Sequence, residues 1–192
     1  GLDTGYDQPS GELAQTVPAV MAAENLLHQT VGTLPLKTFD KNGEPSKTQP
    51  AWTTKTSDIF QSAYLRTCLT EDDLLYVGYS LWEVTERGAD GFPLDMLHVP
   101  IGGRDGWHTE TYGDNKRRVV IRGRIAQDGD YVLFQSPFKG LLNVGWRTIA
   151  HALDLEDTIK ARSRNPLPIM KLSETQENSN MTDEEIDDYI ET

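Results

Sequence analysis

Five short extended runs crowd the middle of the chain: Ser80–Glu86, Leu94–Ile101, Trp107–Tyr112, Arg117–Arg122 and Tyr131–Gln135, divided by Gly, Asp and Asn. Runs this short, separated by turn residues, pair as hairpin neighbours, because a parallel connection needs about a dozen residues or more. The spacing therefore predicts a small antiparallel sheet.

Helical spacing flanks that block on both sides. Pro18 sits where a first-turn proline belongs, and Val20, Ala23, Leu27, Val31 and Leu34 follow as one apolar stripe. Pro35 stops the helix at Leu34, and Leu36–Phe39 reads as extended. Asp40–Gly43 is a turn and Glu44–Thr54 a loop. Ser57 is placed to cap a second helix bearing Phe60, Tyr64, Leu65, Leu69 and Leu75/Tyr76, with Thr70 and Asp73 resembling a capping box that would break it midway. Beyond Ser136-Pro137, Leu142, Trp146, Ile149, Leu153 and Ile159 give a long helix from about Val144 to Arg164, stopped by Asn165-Pro166. Leu167–Leu172 reads as a strand, and Thr182-Asp183-Glu184-Glu185 as the capping box of a final helix. The expected class is α+β, with amphipathic helices packed on one small sheet. Residues 1–15 are rich in Gly, Asp and Ser and are expected to be poorly ordered.

Charge narrows the function. Eighteen basic residues face thirty acidic ones, for a net charge of −12 and a pI near 4.7. That balance argues against a sequence-reading nucleic-acid binder or a protein docked on an anionic membrane. Eight of the twelve net negative charges fall between Ser173 and Thr192, which contain no base. The other 172 residues are close to balanced, at −4. A single cysteine, Cys68, excludes an internal disulfide framework and fits a reducing compartment. The longest apolar-leaning stretch, Leu74–Trp82, is far short of a membrane span. The expectation is a soluble intracellular protein, and a piece of something longer.

Chemistry is sparse. His28, His98, His108 and His151 show no short ligand spacing, and scattered histidines of this kind are most often surface or core residues; His28 lies off the apolar stripe and reads as solvated. Gly102, Gly103 and Gly106 lie between strands with no following helix, so no phosphate-binding loop is formed. Cys68 sits mid-helix among apolar neighbours and reads as packing. On a continuous strand, Lys116, Arg118, Arg122 and Arg124 would share a face with Val120 between them. Three readings stand for that face: a phosphate-facing patch, a solvated edge that discourages aggregation, or a partner for the acidic face of another copy. The acidic run Asp183, Glu184, Glu185, Asp187 and Asp188 lacks a calcium-loop pattern and reads as a solvated helix face. No catalytic set, cofactor or metal site is expected. The residues point to a structural or interaction module.

The order of segments carries a resemblance. "VMAAENLLHQTVGTLPL" (Val20–Leu36), "LLYVGYSLWEVTE" followed by "PLDMLHVP", and "SPFKGLLNVGWRTIAHALDLEDTIKARSRNPLPIMKL" resemble, in sequence order, segments of tailed-phage portal proteins of the HK97-like group. The closing Thr182–Ile186 is similar to that family's helix start. The resemblance implies a structural head–tail connector at one capsid vertex, a ring, usually a dodecamer, through which DNA is packaged and ejected. It would dock the terminase large subunit and contact capsid and tail-adaptor proteins, residing in the virion and, during assembly, in the host cytoplasm. It implies a flexible segment over 1–18, a wing-like domain over 19–142, a stem-like helix over 143–165 and the beginning of a clip-like region over 166–192. Lys160, Arg162 and Arg164 would then face the DNA channel, a neighbour or the clip, and the acids from Asp183 to Asp188 would lie toward the terminase. Duplex DNA would slide past an acidic tunnel without sequence-specific binding. The alternative is a stand-alone acidic adaptor that grips a basic protein partner through its acidic end.

Overall fold

A computed structural model describes residues 9–164 of the chain. The strand and clip-like helix expected after Asn165, with Asp183, Glu184, Glu185, Asp187 and Asp188, lie outside the described residues. Two compact units divide the chain, Gly1–Leu155 and Glu156–Thr192. The architecture is α+β, as expected, but it holds two sheets rather than one.

The helices begin where side chains can take up free N–H groups. The first, α1 (Gly11–Gln15), falls within the stretch expected to lack order; the Ser10 hydroxyl accepts from the Leu13 N–H at 3.2 Å, and Ala14 is buried. Helix α2 (Pro18–Thr30) starts at its proline but ends four residues before Leu34. Gly32 explains the early stop. A Cβ at Gly32 would lie 2.6 Å from the His28 carbonyl and 3.0 Å from Cys68 Sγ, so the chain leaves the helix pressed against α3 (Ala63–Tyr76).

Helix α3 is capped by Ser62, whose hydroxyl accepts from the Leu65 N–H, and not by Ser57. Ser57 is engaged elsewhere: its hydroxyl donates to Asp95 at 2.6 Å. Ile59 and Phe60 therefore stay outside the helix, 89% and 81% exposed. The expected midway break at Thr70 does not occur. The Thr70 hydroxyl donates to the Arg66 carbonyl and accepts from Trp82 Nε1 at 2.7 Å, while Asp73 turns to the sheet, so α3 runs through.

Strands β1 (Tyr79–Arg87), β2 (Pro93–Val99) and β6 (Tyr131–Gln135) form an antiparallel sheet in the order β2-β1-β6. Strands β3 (Trp107–Tyr112), β4 (Lys116–Ile121) and β5 (Arg124–Ile125) form a second, ordered β3-β4-β5. The turn between β2 and β3 separates them. Gly106 is packed so tightly there that a Cβ would fall 1.7 Å from the Gly102 carbonyl oxygen, and Ile101 makes only a lone parallel bridge to Trp107. Leu81 and Val99 of the first sheet meet Trp107, Val119 and Ile121 of the second in one buried cluster.

A second cluster is helical. Ala14, Val17, Tyr76 and Ile149 form its centre, with Leu141 and Leu142 at the edge. It joins α1, α2 and α3 to the short helix α4 (Leu141–Val144) and to α5 (Trp146–Arg164), whose expected start at Val144 falls at Trp146. The unit boundary falls inside α5, after Leu155.

Candidate functional site

Three arrangements of polar groups stand out, and α3 organises two of them. Consecutive residues on a helix point about 100° apart, so Asp72 and Asp73 address different neighbours. Asp72 Oδ1 lies 2.7 Å from His28 Nε2 on α2, and Asp73 Oδ2 lies 2.7 Å from His98 Nε2 on β2. Asp73 also accepts from the Ser80 hydroxyl at 3.0 Å. His28 is therefore paired and partly buried, not solvated as its place off the apolar stripe implied. Glu24, one turn before His28, brings a second carboxylate to the same spot: ligand atoms of Glu24, His28 and Asp72 all lie within 4.8 Å of one another. Burial raises the Asp72 carboxyl above its ordinary range while His28 opposes the shift. Burial likewise raises Glu71, whose two carboxylate oxygens are enclosed and without a hydrogen-bond partner. The sequence signal was the Glu24–His28 spacing of four, which places both on one helix face; Asp72 is 44 residues further on and invisible to a spacing argument.

Arg66 forms the second arrangement. It is 0% exposed. Nη1 donates to the Met96 carbonyl at 2.7 Å and Nη2 to the Trp52 carbonyl, and the guanidinium lies 4.2 Å from the centre of a Trp82 ring. Burial lowers its pKa to about 10, with Asp95 pulling the other way. Burial alone would push the Asp95 carboxyl up, but hydrogen bonds from the Ser57 and Thr85 hydroxyls and from the Ser57 and Met96 N–H groups outweigh it and hold the group below its ordinary value.

The basic run forms the third. The expected single face of Lys116, Arg118, Arg122 and Arg124 does not extend past Ile121, because Arg122 takes a left-handed backbone (φ 49°) and Gly123 follows in a turn. Alternation stops where the strand stops. Arg118 pairs with Glu110 on β3 at 2.8 Å, and Arg122 and Arg124 both reach Glu83 on β1. Arg122 and Arg124 tie the second sheet to the first, while the Arg118 pair stays within the second. Lys116 and Arg117 are exposed.

A groove of about 640 Å³ opens between the sheets, lined by Tyr79, Ile101, Tyr131 and Leu133 with Arg117 and Arg118. The Trp107 indole N–H, at its edge, is buried without a partner. Lys160, Arg162 and Arg164 sit exposed on the last turns of α5, where cations favour a helix C-terminus irrespective of any ligand. Cys68 is buried beside Gly32 and burial pushes its thiol up, which disfavours the nucleophilic thiolate. No helix among the described residues is long and apolar enough to cross a membrane.

The architecture is that of an α+β body with helices first, two antiparallel sheets between, and a long helix last. The chain is similar to the crystal structure of an HK97 family phage portal protein from Corynebacterium diphtheriae, with a TM-score of 0.66 and 26% identity. The match covers 96% of this chain and 59% of that one, so the chain spans little more than half of the solved protein's length. No family model matches, and neither does any curated protein. The family resemblance carried by the segment order is thus met by a likeness of fold.

Proposed function

We propose that the chain is the N-terminal part of a tailed-phage portal subunit, acting mechanically rather than as an enzyme. The observation that carries this reading is the likeness to an HK97 family portal protein along 96% of the chain. In this reading residues 19–142 form the wing, 143–165 the first stem helix and 166–192 the beginning of the clip. The whole subunit assembles into a ring, usually twelve-fold, at one capsid vertex. DNA enters and leaves through it, the terminase large subunit supplies the motor, and capsid and tail-adaptor proteins bind its rim.

The charge distribution fits that division. A nearly balanced wing can pack beside its copies, whereas the eight acids from Glu174 to Glu191 would keep the clip from holding DNA phosphates. Lys160, Arg162 and Arg164 then face the channel, a neighbour or the clip. Lys116 and Arg117 are the cations of the basic run left to meet another copy, since Arg118, Arg122 and Arg124 have carboxylate partners within the chain.

Electron micrographs of the protein made from its entire coding sequence should show closed rings with a central channel. A strictly monomeric product would defeat the proposal. Reversing Lys116 and Arg117 to Glu should lower the yield of rings while leaving the monomer's circular dichroism unchanged.

A further inference from the structure

We infer that Glu24, His28 and Asp72 form a binding site for a divalent transition-metal ion, with Zn²⁺ the best fit, which would fasten α2 to α3. The three side chains offer one imidazole nitrogen and two carboxylate oxygens, all within 4.8 Å of one another. In a closed tetrahedral zinc site, metal–ligand distances near 2.1 Å place ligand atoms roughly 3.4 Å apart. Small rotamer adjustments therefore bring the set to ligating geometry. Two of the ligands come from one helix face at positions i and i+4 and the third from the helix packed on it, so the backbone already fixes their directions.

The outer shell is also present. Glu24 Oε1 accepts from Gln15 Nε2 at 2.9 Å and Oε2 from the Tyr76 hydroxyl at 3.0 Å, which orients the carboxylate and leaves each oxygen a lone pair.

The charge at the site is also lopsided. Glu71, adjacent to Asp72, has both carboxylate oxygens enclosed with no hydrogen-bond partner. Glu24 and Asp72 set two carboxyl groups against one histidine, and no lysine or arginine among the described residues pairs with either of them. A divalent ion held by the two carboxylates offsets their negative charge directly. The imidazole selects against Mg²⁺ and Ca²⁺, which prefer all-oxygen shells.

The experiment is calorimetric titration of the 192-residue chain with ZnCl₂ at neutral pH, after treatment with a chelator, alongside thermal unfolding with and without the ion. One ion per chain should bind and raise the unfolding midpoint, while Mg²⁺ leaves it in place. Glu24→Gln keeps the His28–Asp72 contact and should weaken Zn²⁺ binding by roughly 100-fold. His28→Gln should do the same, and circular dichroism of each metal-free variant establishes that it is folded. The inference is overturned if the wild type shows no Zn²⁺-dependent shift, or if folded Glu24→Gln and His28→Gln both keep wild-type affinity, which would place the ion elsewhere. Ring formation is a separate readout, so the site and the portal reading stand or fall independently.

Discussion

Arg66 shows how a single charge can be built into an interior. Its guanidinium satisfies two backbone carbonyls and lies against Trp82, an arrangement that a planar group with five donors can make and an ammonium cannot. Arg66→Ala should destabilise the fold by about 3 kcal/mol in urea unfolding, because it leaves a void and two orphaned carbonyls. Arg66→Lys should recover less than half of that loss. Asp95 behaves in the opposite sense. Its folded-state pKa lies below the ordinary 3.8, so its contribution is full above that value and is lost as pH falls through the folded pKa. Ser57→Ala should therefore cost about 1.5 kcal/mol at pH 7, since it removes a hydrogen bond to a charged acceptor, and the gap from wild type should close in strong acid. The same serine shows what sequence could not supply. Ser57 has the side chain of a good cap, but a carboxylate 38 residues away engages it, and the helix starts at Ser62 instead.

At the scale of elements, periodicity and turn residues were enough to place α2, α3 and α5 to within a few residues and most strand edges, because those signals are local, whereas the short helices α1 and α4 carry too few turns to show a period. The division into two sheets was not legible. Both sheets use the same alternation and the same turn chemistry, and what separates them is the path of the backbone through Pro100–Trp107. Gly106 is the tightest point of that path. Gly106→Ala should cost at least about 3 kcal/mol, since the new methyl would meet backbone and not a movable side chain. Guanidinium unfolding measures it, with Gly11→Ala, in open space and without a left-handed backbone, as the comparison. The basic run teaches a related lesson. On a continuous strand its residues would share one face, whereas the left-handed turn at Arg122 sends two arginines back to Glu83. The carboxylate is buried and the arginines are partly exposed, so removing both arginines should destabilise more than Glu83→Gln, which leaves them free to reach water.

Taken as a whole, the unit from Gly1 to Leu155 has two hydrophobic centres and a helix that serves both. Tyr76 of α3 belongs to the helical cluster, while Arg66 and Thr70 on the same helix engage Met96 and Trp82 of the first sheet. That sharing predicts one cooperative transition. Leu81→Ala in the sheet core and Ile149→Ala in the helical core should each cost about 3 kcal/mol. Each should move tryptophan fluorescence and far-ultraviolet circular dichroism together. Separate transitions would mean two independently folding halves. The order of segments was readable across the chain, and it carries the resemblance to portal proteins that the likeness of fold meets. The convergence of Glu24, His28 and Asp72 was not, because it depends on how α2 lies against α3.

The neighbouring acids Asp72 and Asp73 have a mechanical consequence. They place two histidine links in series, α2 to α3 and α3 to β2, so tension applied to α2 passes to the sheet through one helical turn. A series connection parts at its weaker member. The outer link has both partners about one-fifth exposed, and the inner one has His98 nearly enclosed and Asp73 further held by Ser80. Under load, α2 should therefore peel away first and leave α3 seated on the first sheet.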